Sequence, residues 1–103
     1  MTAANATRSL FTIDVKDWMG TDLLGSREQG RKLRQLLMDH IQHQESIRLD
    51  FRHVDVMTSA FADECFGKIW DSTSHSMIKQ MIHITGLTGN NKAVFRFVLA
   101  HRN

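Results

Sequence analysis

Ser46-Ile47-Arg48-Leu49-Asp50-Phe51 and, after the connection Arg52 to Met57, Thr58-Ser59-Ala60-Phe61-Ala62-Asp63-Glu64-Cys65-Phe66-Gly67-Lys68-Ile69 decide the fold. In the first segment Ile47, Leu49 and Phe51 alternate with Arg48 and Asp50, which is the pattern of a strand with one buried face. In the second, Phe61, Ala62, Cys65, Phe66 and Ile69 fall at helical spacing, with Thr58 or Ser59 as the cap. This predicts a helix from Thr58 to about Asp71. Asp63 and Glu64 lie in its first turns, where the helix dipole favours negative charge.

The flanks repeat the same grammar. Upstream, Leu10 to Lys16 reads as a strand, with Phe11, Ile13 and Val15 on one face and Thr12, Asp14 and Lys16 on the other. Gly20 to Gly25 reads as a loop. Ser26-Arg27-Glu28-Gln29 matches a capping box, in which the serine hydroxyl and the glutamine side chain each satisfy a free backbone N–H. The helix that follows runs to about His43, with Leu33, Leu36, Leu37, His40 and Ile41 as its apolar stripe. Gly30 at the edge of that stripe predicts close approach to a sheet. Downstream, Met81 to Leu87 is a third strand, Thr88 to Asn91 a turn and cap, and Val94, Phe95, Val98 and Leu99 mark a last helix.

The order is βαβαβα, an α/β fold whose strands are parallel with right-handed crossovers. Strands buried on both faces read as continuous apolar runs, and these alternate. Helices therefore cover one face only, and the strands follow one another in order, as a βα superhelix with a small, mainly parallel sheet. Ile13, Leu49, Phe51, Phe61, Cys65, Ile69, Ile84, Val94 and Val98 are the expected core.

Composition bounds the rest. The chain has 103 residues, 42% of them apolar, so one domain over residues 10–103 is expected behind a frayed polar segment, 1–9. Thirteen Lys and Arg against eleven Asp and Glu give a net charge of +2, too balanced to point to nucleic acid. The single cysteine excludes an internal disulfide and any Cys-based zinc site. The absence of an apolar leader or a membrane-length apolar run points to a cytoplasmic protein that does not enter a membrane.

The Leu49–Ile69 segment resembles the STAS-like domains of unknown function found in bacteria (the DUF4325 family). Their strand, loop and helix read like Leu49-Asp50-Phe51, then Thr58-Ser59-Ala60-Phe61-Ala62-Asp63-Glu64, then Phe66-Gly67-Lys68-Ile69. Ser26-Arg27-Glu28 and Gly30 also fit, and the similarity extends over Leu10 to Arg102. The wider STAS superfamily includes anti-sigma-factor antagonists, which implies a βα superhelix and a non-enzymatic signalling role. It also implies a protein partner of the histidine-kinase-like ATPase class, binding the start of the Thr58 helix. By position Ser59 matches the serine that such a kinase phosphorylates. Thr58 stands where those antagonists carry aspartate, and Ala60 and Phe61 replace a small residue and a glycine. The resemblance implies a partner surface of His53, Asp55, Thr58, Ser59 and Asp63.

The residues themselves leave alternatives. Ser59 is either a phosphoacceptor, where a phosphate would meet free N–H groups, or a cap. Asp50, Asp55, Asp63 and Glu64 are four carboxylates near one strand–helix corner. They could serve a small enzyme or nucleotide-binding domain, although no glycine-rich phosphate loop accompanies them. Cys65 lies on an apolar face and reads as a core thiol. His40 and His43 at i, i+3 make no metal motif, so neither metal nor cofactor is expected. Arg27, Arg31, Lys32 and Arg34 form a basic flank, either ready for an acidic group or solvated with Glu28 pairing Lys32. Homodimerisation through the polar sheet face or an edge strand is the third alternative.

Overall fold

The computed structural model describes residues 10–102. The segment 1–9, expected to be frayed, lies outside the described residues. Three strands, β1 (Leu10–Asp14), β3 (Ser46–Asp50) and β5 (Ile82–Thr85), form a parallel sheet in the order β1-β3-β5. The strands therefore follow one another as the alternation predicts. Two very short strands, β2 (Leu23–Leu24) and β4 (Val56–Met57), pair parallel to each other in a separate ribbon.

Pairing register fixes what each sheet face carries. Thr12, Arg48 and His83 stand in one row, and Asp14, Asp50 and Thr85 in the next. Thr12, Arg48, His83 and Thr85 are exposed, so this face is the open one. On the other face Ile47 and Leu49 are fully buried beneath helices. The chain buries Leu33, Leu37, Phe51, Phe61, Cys65, Ile69 and Val98 in one cluster, with Ile13, Ile84 and Val94 packed against it. Of the nine expected core residues, Leu49, Phe51, Phe61, Cys65, Ile69 and Val98 are buried in it, and Ile13, Ile84 and Val94 are partly buried against it.

Helix α2 (Arg27–Gln42) starts as its sequence dictates: the Ser26 hydroxyl accepts from the Gln29 N–H, and the Gln29 side chain accepts from the Ser26 N–H. The Thr58 helix is continuous but not uniform. An α turn, α3 (Ser59–Ala62), passes through a π-helical turn (Asp63–Gly67) into α4 (Lys68–Ser72). The last helix, α6 (Gly89–Ala100), closes the fold.

Four local expectations are corrected. Val15 does not continue β1: Asp14 accepts a hydrogen bond from the Asp17 N–H and caps the short helix α1 (Val15–Met19). Gly20 to Gly25 is not wholly a loop, because it contains β2. Residues His75–Met81 form a further helix, α5, ahead of β5. Gly30 faces the Thr58 helix rather than a sheet: a Cβ there would stand 2.7 Å from the Phe61 carbonyl oxygen and 3.3 Å from the Cys65 nitrogen.

Candidate functional site

The corner between β3 and the Thr58 helix is held from three sides. The Thr58 N–H donates to the Leu24 carbonyl at 2.9 Å, and the Asp55 N–H to the Asp22 carbonyl at 2.8 Å. From α6, buried Asn91 accepts from the Met57 N–H at 2.9 Å and donates to the Val54 and Asp55 carbonyls at 3.3 and 3.2 Å. One amide thereby fixes the connection that leads into the helix. Its position in the Thr88–Asn91 turn gives no hint of that role, because its partners lie more than thirty residues away in sequence.

Of the two residues that the sequence offers as the cap, the structure uses Thr58. Thr58 is the cap, its hydroxyl oxygen accepting from the Phe61 N–H at 3.3 Å. Ser59 is the first helical residue and is exposed. It lines a shallow cavity of about 390 Å³ with Arg27, Ala60, Phe97, His101 and Arg102. Phe97 is 58% exposed, the most exposed large apolar side chain among the described residues.

Of the other residues of the expected partner surface, His53 and Asp55 do not line this cavity and Asp63 does. His53 is exposed, and its Nδ1 is 2.7 Å from an Asp14 carboxylate oxygen, tying the end of β1 to the loop after β3. That hydrogen bond holds the Asp14 carboxyl below its ordinary range. Asp55 is exposed. Asp63 lines the same groove as Ser59 and, partly exposed, forms ion pairs with Arg27, at 2.9 Å, and with Arg102. These bonds, Arg27 foremost, lower its pKa.

The four carboxylates do not converge on one another. Glu64 is nearly buried at 6% exposure and receives Arg34 at 2.9 Å and Lys68 at 3.1 Å, with Arg27 at 3.4 Å. The Arg34 bond, followed by Lys68, drops the Glu64 carboxyl from 4.5 to about 2. Asp50 instead accepts from the Arg52 backbone and side chain. Among the described residues no three His, Cys, Asp or Glu side chains gather as a metal would require.

The basic flank of α2 is therefore partly engaged within the fold, although Arg27, Arg31 and Lys32 remain exposed. Arg27 and Arg34 reach the Thr58 helix, and Lys32 lies over the Trp18 ring, 5.3 Å from its centroid, rather than in the pair with Glu28 that the solvated alternative gave it. Cys65 is fully buried, and burial pushes its thiol pKa well above the ordinary value. His40 packs on Phe11, and His43 bonds to the Asp39 carbonyl, so the two rings serve separate contacts.

No described helix is long and apolar enough to cross a membrane. Comparison with curated proteins and with solved structures finds no match. The family model of a STAS-like domain of unknown function (DUF4325) matches residues 29–92, from the Gln29 that completes the capping box to the first turn of α6, and the chain belongs to that family.

Proposed function

We propose that the protein is a non-enzymatic interaction module, similar to an anti-sigma-factor antagonist, that docks a protein partner on the start of the Thr58 helix. The observation that carries this reading is the pairing of exposed Ser59 with exposed Phe97 across one shallow groove, beside a cap that Thr58 already supplies. Phe97 offers a partner an apolar anchor, the kind of side chain that dominates binding energy at interfaces. Ser59 adds a small hydroxyl whose replacement by phosphate changes charge by about −1.5 to −2 without removing the cap. Such a phosphate would compete with Asp63 for Arg27, which lines the same groove.

By resemblance to the anti-sigma-factor antagonists, the partner in this reading is an ATPase of the histidine-kinase-like class, and the setting is the bacterial cytoplasm. Neutralisation of Asp63 and Glu64 by arginine and lysine supports a binding role over acid–base chemistry at this corner. Capture with the full chain from its native cells, followed by mass spectrometry and affinity measurement, tests the proposal. The expected result is such an ATPase, bound about tenfold more weakly by Ser59→Asp and by Phe97→Ala, or about 1.4 kcal/mol each. Equal binding by both variants, or capture without any such ATPase, overturns it.

A further inference from the structure

The segments α4, α5, β5 and α6 enclose a second, very different cleft, which shares no lining residue with the Ser59 groove. Its volume is about 320 Å³, and Phe66, Ile69, Ile78, Ile84, Phe95 and Leu99 supply most of its wall. Lys79 is the single charged residue lining it. Through Ile84 and Phe95 it adjoins another cavity, whose rim carries Lys92 and Arg96. Neither cavity is lined by a carboxylate. Among the described residues none of these three cations forms an ion pair.

We infer that this cleft binds a single-chain anionic amphiphile, a medium-chain fatty carboxylate, with the chain among the apolar side chains and the carboxylate at Lys79. Size and charge both select this occupant. Small-molecule sites run from roughly 300 to 1,000 Å³, and this cleft stands at the narrow end of that range. A protein partner or second copy would need a broad surface, about 800 Å² from each side, rather than a half-enclosed slot. The apolar wall favours a hydrocarbon, and the acid-free, cationic rim favours an anionic head over a neutral or positive one. This inference is independent of the reading of Ser59, which sits in another groove.

Trp70 lines the cleft and reports on it. The experiment titrates decanoate, octanoate and decanol, below micelle formation, into the full chain carrying Trp18→Phe, and reads Trp70 fluorescence. Saturable binding of decanoate is expected, with octanoate roughly tenfold weaker because it loses two buried methylenes. Lys79→Glu, a change at an exposed position, is expected to weaken decanoate about tenfold and leave decanol unchanged. Ile78→Phe, which narrows the cleft, is expected to weaken both ligands at an unaltered thermal midpoint. The absence of saturable binding overturns the inference. So does decanoate binding indifferent to Lys79→Glu, or sedimentation showing a dimer in which Trp70 is already shielded.

Discussion

Arg34 of α2 donates from one guanidinium nitrogen to both the carboxylate and the backbone carbonyl of Glu64. It therefore grips the Thr58 helix within its π-helical turn by main chain and side chain together. Lys68, one turn further on, supplies a second cation to the same carboxylate. A nearly buried acid is tolerable only with such partners, since an unpaired buried charge is costly. The acidic residues that begin this helix are thus explained less by its dipole than by the arginines of α2.

Acid should reveal this arrangement. The Glu64 carboxyl titrates near 2 in the folded chain against an ordinary 4.5. As pH falls, the unfolded chain takes up the proton first, so the stabilisation is complete above about pH 4.5 and is lost on the way down to about 2. Asp63 and Asp71, lowered chiefly by Arg27 and Arg102, act in the same direction. Thermal melts against pH should show a plateau that falls through this window. Glu64→Gln should lower the plateau and flatten the fall. An identical pH profile for the variant would remove Glu64 from the account.

Gly30→Ala sets two effects against each other. Alanine improves helix propensity by about 1 kcal/mol. Its Cβ, however, would stand 2.7 Å from a backbone oxygen of Phe61, which cannot turn aside as a side chain could. Overpacking of this kind costs about 1–3 kcal/mol. The expected result is a net loss of stability in urea denaturation, and a stabilised variant would mean that the two helices separate easily.

The assignment of the cap to Thr58 rather than Ser59 is also measurable. Thr58→Ala removes the hydroxyl that caps Phe61 and should cost about 1 kcal/mol. Ser59→Ala should stay within about 0.5 kcal/mol of the parent, as expected for an exposed side chain outside the cap. Equal losses in the two variants, read by chemical denaturation, would show that the cap is shared.

Asn91 requires both halves of its amide. Asn91→Ala leaves the Met57 N–H and the carbonyls of Val54 and Asp55 without their bonds, at a cost of about 1–3 kcal/mol. Asn91→Asp keeps the acceptor and loses the donor, so it too should destabilise. Hydrogen exchange at the Met57 amide should accelerate in the alanine variant more than exchange at Leu49.

The three sheet strands, their order and the Ser26–Gln29 cap were legible because each rests on a short-range pattern: alternation at Ile47 and Leu49, or a hydroxyl three residues from an amide. What escaped reading is either too short or too distant. Leu23–Leu24 and Val56–Met57 offer two residues each, below any period. Val15 continues the alternation of β1 so well that it masks the local Asp14 cap, whose bond from the Asp17 N–H turns the chain into α1. Helix α5 places Met77, Ile78 and Met81 among Ser, His and Lys, so its stripe is thin. At the corner, the position of Ser59 was readable, but its neighbour Phe97 and the engagement of Arg27 and Arg34 link residues some thirty or more positions apart.

The sheet order has a consequence for how the chain is made. Each new strand joins beside the one synthesised before it, so no gap is left in the sheet for a later strand to enter. On the ribosome, β1, α2 and β3 can therefore begin to associate while the last third of the polypeptide is still unmade. Central β3 is then a seam completed in two stages, first against β1 and last against β5, and its amides should be the slowest in the sheet to open again.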